Sequence, residues 1–70
     1  MKYRYFFFYE VKVNNIIGHF NTCLDLSTKI SGMREIKDVQ DFLAQSYPGA
    51  ETVLVCYWQY CGMVRNGESN

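Results

Sequence analysis

The side chains of this chain that could do chemistry are few. His19 is its one histidine, and Ser27 and Asp25 follow it at intervals that suggest a nucleophile, a base and an orienting acid. All three fall in one extended stretch, where alternate residues on a face stand ~6.6 Å apart. Nucleophilic catalysis needs partners in direct hydrogen-bond reach, so the set reads as strand residues, with His19 facing Glu10. The cysteines, Cys23, Cys56 and Cys61, are odd in number, and their spacings of 33 and 5 fit neither a disulfide framework nor a metal clip. Cys56 and Cys61 face opposite ways on one strand, so structural thiols are the expectation. No catalytic residue, cofactor or metal is therefore expected, and the chain does not read as an enzyme. Glu35, Asp38 and Asp41 give one segment an acidic side, diluted by Arg34 and Lys37. Such a side is usually a solvated face, and it is also a candidate charged surface for a protein partner.

The first element these residues depend on is the segment MKYRYFFFYEVKV. It holds five consecutive rings, YFFFY, at residues 5–9. The chain is 49% apolar and 17% aromatic, too rich for a disordered segment. Seventy residues make one domain near the lower limit for a single core, since chains of this size bury only about 60% of their unfolded surface. We expect a domain over 1–64 and a polar tail over 65–70. Seven basic and seven acidic residues cancel, where a nucleic-acid binder normally carries a basic excess. The apolar run ends at Glu10, well short of the roughly 20 residues of a membrane span, and no small-residue cleavage site follows it. With its odd cysteines, the chain reads as cytoplasmic.

Residues 3–13 alternate with period two. Tyr3, Tyr5, Phe7, Tyr9, Val11 and Val13 form one apolar face, and Arg4, Phe6, Phe8, Glu10 and Lys12 a mixed one. Asn14-Asn15 supplies two residues that tolerate left-handed backbone angles, and a second strand is expected from about 16 to 27. If Val13 faces Ile16, Arg4 lies opposite Asp25 and Glu10 opposite His19, both favourable pairs, and a slip of one residue would destroy the match.

Ser31-Gly32 begins a helical period, with Ser31 as the expected cap. Ile36, Val39, Phe42, Leu43 and Tyr47 make the apolar stripe, Arg34/Asp38 and Lys37/Asp41 are spaced for ion pairs, and Pro48-Gly49 stops the helix. Residues 52–61, TVLVCYWQYC, are a third strand with two heavy faces. The fold class is α+β, in the order β-β-α-β. A right-handed crossover is satisfied when the third strand lies beside the first and parallel to the second, giving the strand order 2-1-3, with 1-2-3 as the fallback.

One helix covers one face of such a sheet. Tyr5, Phe7 and Tyr9 go beneath it. Phe6 and Phe8 go to the open face with Ile17 and Cys23, joined by either Val53, Val55 and Tyr57 or Leu54, Cys56 and Trp58. We take Phe6, Phe8, Ile17, Cys23 and Trp58 as the interface set. A face this apolar exceeds what a soluble monomer exposes. It points to a homodimer stacked back to back, with a protein partner elsewhere on the surface. The alternative is single-stranded nucleic acid stacked on Phe6 and Phe8.

The arrangement resembles short proteins of phages and other mobile elements. The matching pieces are Gly18, Phe20 and Asn21 in GHFNT, Ser31, Glu35, Ile36 and Asp38 in SGMREIKD, and VLVCYW at 53–58, within a likeness that spans residues 3–60. His19 stands inside the glycine-containing part of that pattern. The resemblance implies a small accessory protein that acts by binding, and inhibiting, a host factor.

Overall fold

A computed structural model describes residues 1–65. The expected tail lies, beyond Arg65, outside the described residues. Strand β1 (Lys2–Val13) and strand β2 (Ile16–Leu26) form a hairpin, helix α1 (Met33–Ala44) follows, and strand β3 (Thr52–Val64) closes an antiparallel sheet of order β2-β1-β3. The most aromatic strand is central, because only there can Tyr5, Phe7 and Tyr9 be flanked on both sides.

The hairpin turns at Asn14 and Asn15, with φ of 50° and 65°, the pair of left-handed residues that a two-residue turn requires. Val13 faces Ile16, and the register runs unbroken to Tyr3 opposite Leu26, with Arg4 opposite Asp25 and Glu10 opposite His19 as the alternation demands.

The core is Tyr5, Phe7, Tyr9, Val11, Ile36, Val39, Leu43 and Val53, with Phe7 wholly enclosed. The Tyr9 and Tyr47 hydroxyls bond at 2.9 Å, and burial followed by that bond pushes the Tyr9 hydroxyl up to about 12. Twelve helical residues span only ~18 Å, against strands that run the 40 Å length of the molecule. The link before the helix covers part of the remainder. Ile30 N–H donates to the Tyr5 hydroxyl at 2.9 Å, and the Lys29 ammonium stands 5.7 Å from the Tyr3 ring centre and 5.5 Å from that of Tyr60.

Four details of the helix differ from expectation. It ends at Ala44 rather than at Pro48, so Tyr47 packs against the core from the link that follows. Its N-cap is Gly32, not Ser31. The Glu35 side chain reaches back to accept from the N–H groups of Gly32 (2.8 Å) and Ser31 (3.1 Å), the back-reaching half of a capping box, while Gly32 offers no side-chain oxygen to the first turn. Phe42, placed in the apolar stripe, is 56% exposed. The helix leans toward β3, where Gln40 Oε1 accepts the Val55 N–H at 2.9 Å, so Phe42 overhangs the gap above β2. Lys37 pairs with Asp41 at 3.4 Å, whereas Asp38 borders that gap and makes no pair with Arg34.

The third strand presents neither of its two expected faces intact. Its pairing with β1 shifts between Arg4 and Tyr5 and again between Phe8 and Tyr9, so Cys61 and Cys56 are extra residues bulged out of the ladder. Each bulge reverses the parity. Val53, Val55, Trp58 and Tyr60 therefore share the helix side, and Leu54, Tyr57 and Gln59 share the open side. Gly62, next to one bulge, has φ of +120°, a backbone angle that L side chains rarely adopt.

Candidate functional site

Five rows of side chains cross the open face, each read from β2 through β1 to β3: Asp25–Arg4–Gly62, Cys23–Phe6–Gln59, Asn21–Phe8–Tyr57, His19–Glu10–Leu54 and Ile17–Lys12–Thr52. Of the interface set read from the sequence, Phe6, Phe8, Ile17 and Cys23 are here together. Trp58 is not. It lies opposite Phe7 on the helix side, with its ring 5.7 Å from Tyr5, because the bulge at Cys56 turns the strand over before reaching it. Leu54 and Tyr57 take its place, exposed at 46% and 52%, with Ile17 at 51% across the central strand. The sequence signal for this exchange was a strand heavy on both faces, which does not locate a bulge.

The polar groups of the face are largely engaged with one another. Arg4 donates to both Asp25 oxygens, from Nε at 2.8 Å and from Nη2 at 3.1 Å. That contact holds the Asp25 carboxyl below the usual range and the Arg4 guanidinium above its own. His19 Nε2 lies 3.3 Å from Glu10 Oε1, and its ring stacks flat on Phe8, with centres 5.4 Å apart and planes 4° from parallel. The Tyr57 hydroxyl donates to Gln59 Oε1 at 2.9 Å. One face of the Phe8 ring is thus already stacked and Arg4 is committed to a carboxylate, which removes two of the features a nucleic-acid platform uses.

The three acids of the helix divide into separate tasks. Glu35 closes the helix N-terminus, and the N–H of Ser31 first, then its own and that of Gly32, draw its carboxyl below the ordinary range. Asp41 pairs with Lys37. Asp38 joins Leu24, Leu26, Val39 and Phe42 around a groove of about 320 Å³ between β2 and α1. Ser27 lines the same groove, while Asp25 is bonded to Arg4 and His19 stands by Glu10, so the three do not form a relay. Cys23, Cys56 and Cys61 are free and exposed. Among the described residues no cluster of ligating side chains could hold a metal ion, and no helix is long and apolar enough to cross a membrane. No family model, curated protein or solved structure matches this chain.

Proposed function

We propose that this protein is a non-enzymatic, protein-binding module of the cytoplasm that associates with a second copy of itself by stacking the open sheet faces. The observation that carries this reading is the open face itself. Phe8, Ile17, Leu54 and Tyr57 are exposed on it together, while Arg4 is paired with Asp25 and Glu10 lies against His19. A surface that mixes exposed apolar side chains with acids and bases already facing one another fits another of its kind better than a strongly charged partner. The area is adequate as well. A face 40 Å long and three strands wide covers roughly 600 Å², and two of them stacked bury roughly 1,200 Å², the lower end of stable protein interfaces.

Self-association through this face leaves the helix side for a further partner. Following the likeness in GHFNT and SGMREIKD to proteins of mobile elements, we take that partner to be a host factor. The test is a double substitution, Phe6→Ala with Phe8→Ala, followed by the solution mass and by binding of a labelled single-stranded oligonucleotide. A drop in mass with no oligonucleotide binding by either protein supports the reading. An unchanged mass overturns it, and oligonucleotide binding that the substitution abolishes would transfer the face to nucleic acid.

A further inference from the structure

The two edges of the sheet are built differently. On β3 two bulges interrupt the strand, and the Gln40 side chain occupies the outward Val55 N–H. Bulges and covering side chains are how native sheets keep an edge from pairing with another chain. β2 has neither. Its register with β1 is continuous for its whole length, and it contains no proline, lysine or arginine. In a hairpin closed by two residues, Val13 and Ile16 exchange both of their hydrogen bonds, and alternate positions do so from there. Gly18, Phe20, Thr22 and Leu24 therefore point their N–H and C=O groups at β1. Ile17, His19, Asn21, Cys23 and Asp25 point theirs outward, forming a straight edge able to accept a strand.

We infer that this edge pairs with the β2 edge of a second copy, antiparallel, in the register that sets Thr22 opposite the partner's Thr22. Two independent matches select that register. On the helix side, Phe20 comes opposite the partner's Leu24. Phe20 is 44% exposed, and its ring leans over Gly18, where an added Cβ would stand only 3.0 Å from it. Gly18 in turn faces the partner's Leu26, so each Phe20 ring lies along the mouth of the groove floored by Leu24 and Leu26 and overhung by Phe42. On the open side, Asp25 comes opposite the partner's His19. Arg4, Asp25, the partner's His19 and the partner's Glu10 then form one row in which base and acid alternate, and the two-fold axis repeats the row. A shift of two residues either way takes Phe20 off Leu24 and Asp25 off His19. The product is a continuous six-stranded sheet with both helices on one side.

This interface is separate from the stacked faces proposed above, and the two combine as perpendicular two-folds of a four-chain assembly. Asn21→Pro tests it, because it removes an N–H that the subunit's own ladder does not use and places a ring on the pairing edge. The expected result is a folded protein by circular dichroism whose mass is half that of the unsubstituted chain. In the unsubstituted protein, the amides of His19, Asn21, Cys23 and Asp25 should exchange with solvent at least tenfold more slowly than in a dilute, dissociated sample. That second measurement stands even where the proline variant fails to fold. Fast exchange at these amides at every concentration overturns the inference, as does an unchanged mass for a folded Asn21→Pro chain. The two interfaces remain distinguishable. Slow β2 amides that persist after Phe6→Ala with Phe8→Ala support the edge whatever becomes of the face, and a mass lost only through the phenylalanines overturns the edge and keeps the face.

Discussion

At the scale of single residues, the fold depends on a few side chains that have no substitute. Phe7 is fully enclosed at the centre of the middle strand. Phe7→Ala should cost about 4 kcal/mol, most of the stability of a 70-residue domain, and denaturant titration should find it largely unfolded. Gly62 holds a left-handed φ beside a bulge. Gly62→Ala has open space for its methyl group, yet should lose about 1–2 kcal/mol from backbone strain alone. Two carboxyls, Asp25 and Glu35, sit below their ordinary range because of the Arg4 and N–H donors facing them. A depressed folded value means the stabilisation is complete above the unfolded carboxylate range of about 4. It disappears as pH falls through the folded values. Thermal melts between pH 6 and pH 2 should show this loss, and Asp25→Asn with Glu35→Gln should flatten it. Tyr9 has the opposite sign. Its folded value of about 12 lies above the usual 10, so its contribution is intact below pH 10 and declines from there upward. Spectrophotometric titration should lose a step near 12 in Tyr9→Phe.

At the scale of elements, the short helix decides what the sheet leaves uncovered. Gln40 ties α1 to the β3 edge, and the groove above β2 is the other side of that lean. Gln40→Leu leaves the Val55 N–H without its partner and should cost about 1 kcal/mol. The same change should raise hydrogen exchange at Val55 alone. The hairpin was legible in the sequence because one residue pairing made every other position agree. Arg4 met Asp25, Glu10 met His19, and a slip would have turned the whole apolar face outward. The parity of β3 was not legible. TVLVCYWQYC is apolar on both faces, so moving one residue out of the ladder costs little in pattern, and Cys56 and Cys61 carry no mark that they are the residues moved. Trp58 was misplaced for that reason, and Leu54 and Tyr57, read as belonging to alternative faces, share the open one. Phe42 was misread for a different one. Helical periodicity shows that a side chain shares the apolar stripe, but not how far along the sheet the helix settles.

At the scale of the whole molecule, a three-stranded sheet with one helix has more apolar surface than it can enclose. Phe8, Ile17, Leu54 and Tyr57 remain on the open face, and Phe20 and Phe42 remain beside the unprotected β2 edge. Both surfaces carry acids and bases side by side, and the proposed self-association would cover each with a second copy of the same chain. Self-association of this kind would add buried area to a domain near the lower size limit for a single core. The open face is the central claim, and sedimentation equilibrium of the unsubstituted chain beside Phe6→Ala with Phe8→Ala tests it most directly. The account predicts a mass of at least twice 8.2 kDa for the first and half that mass for the folded variant. A mass of 8.2 kDa for the unsubstituted chain at every concentration, or equal masses for the two proteins, would contradict it.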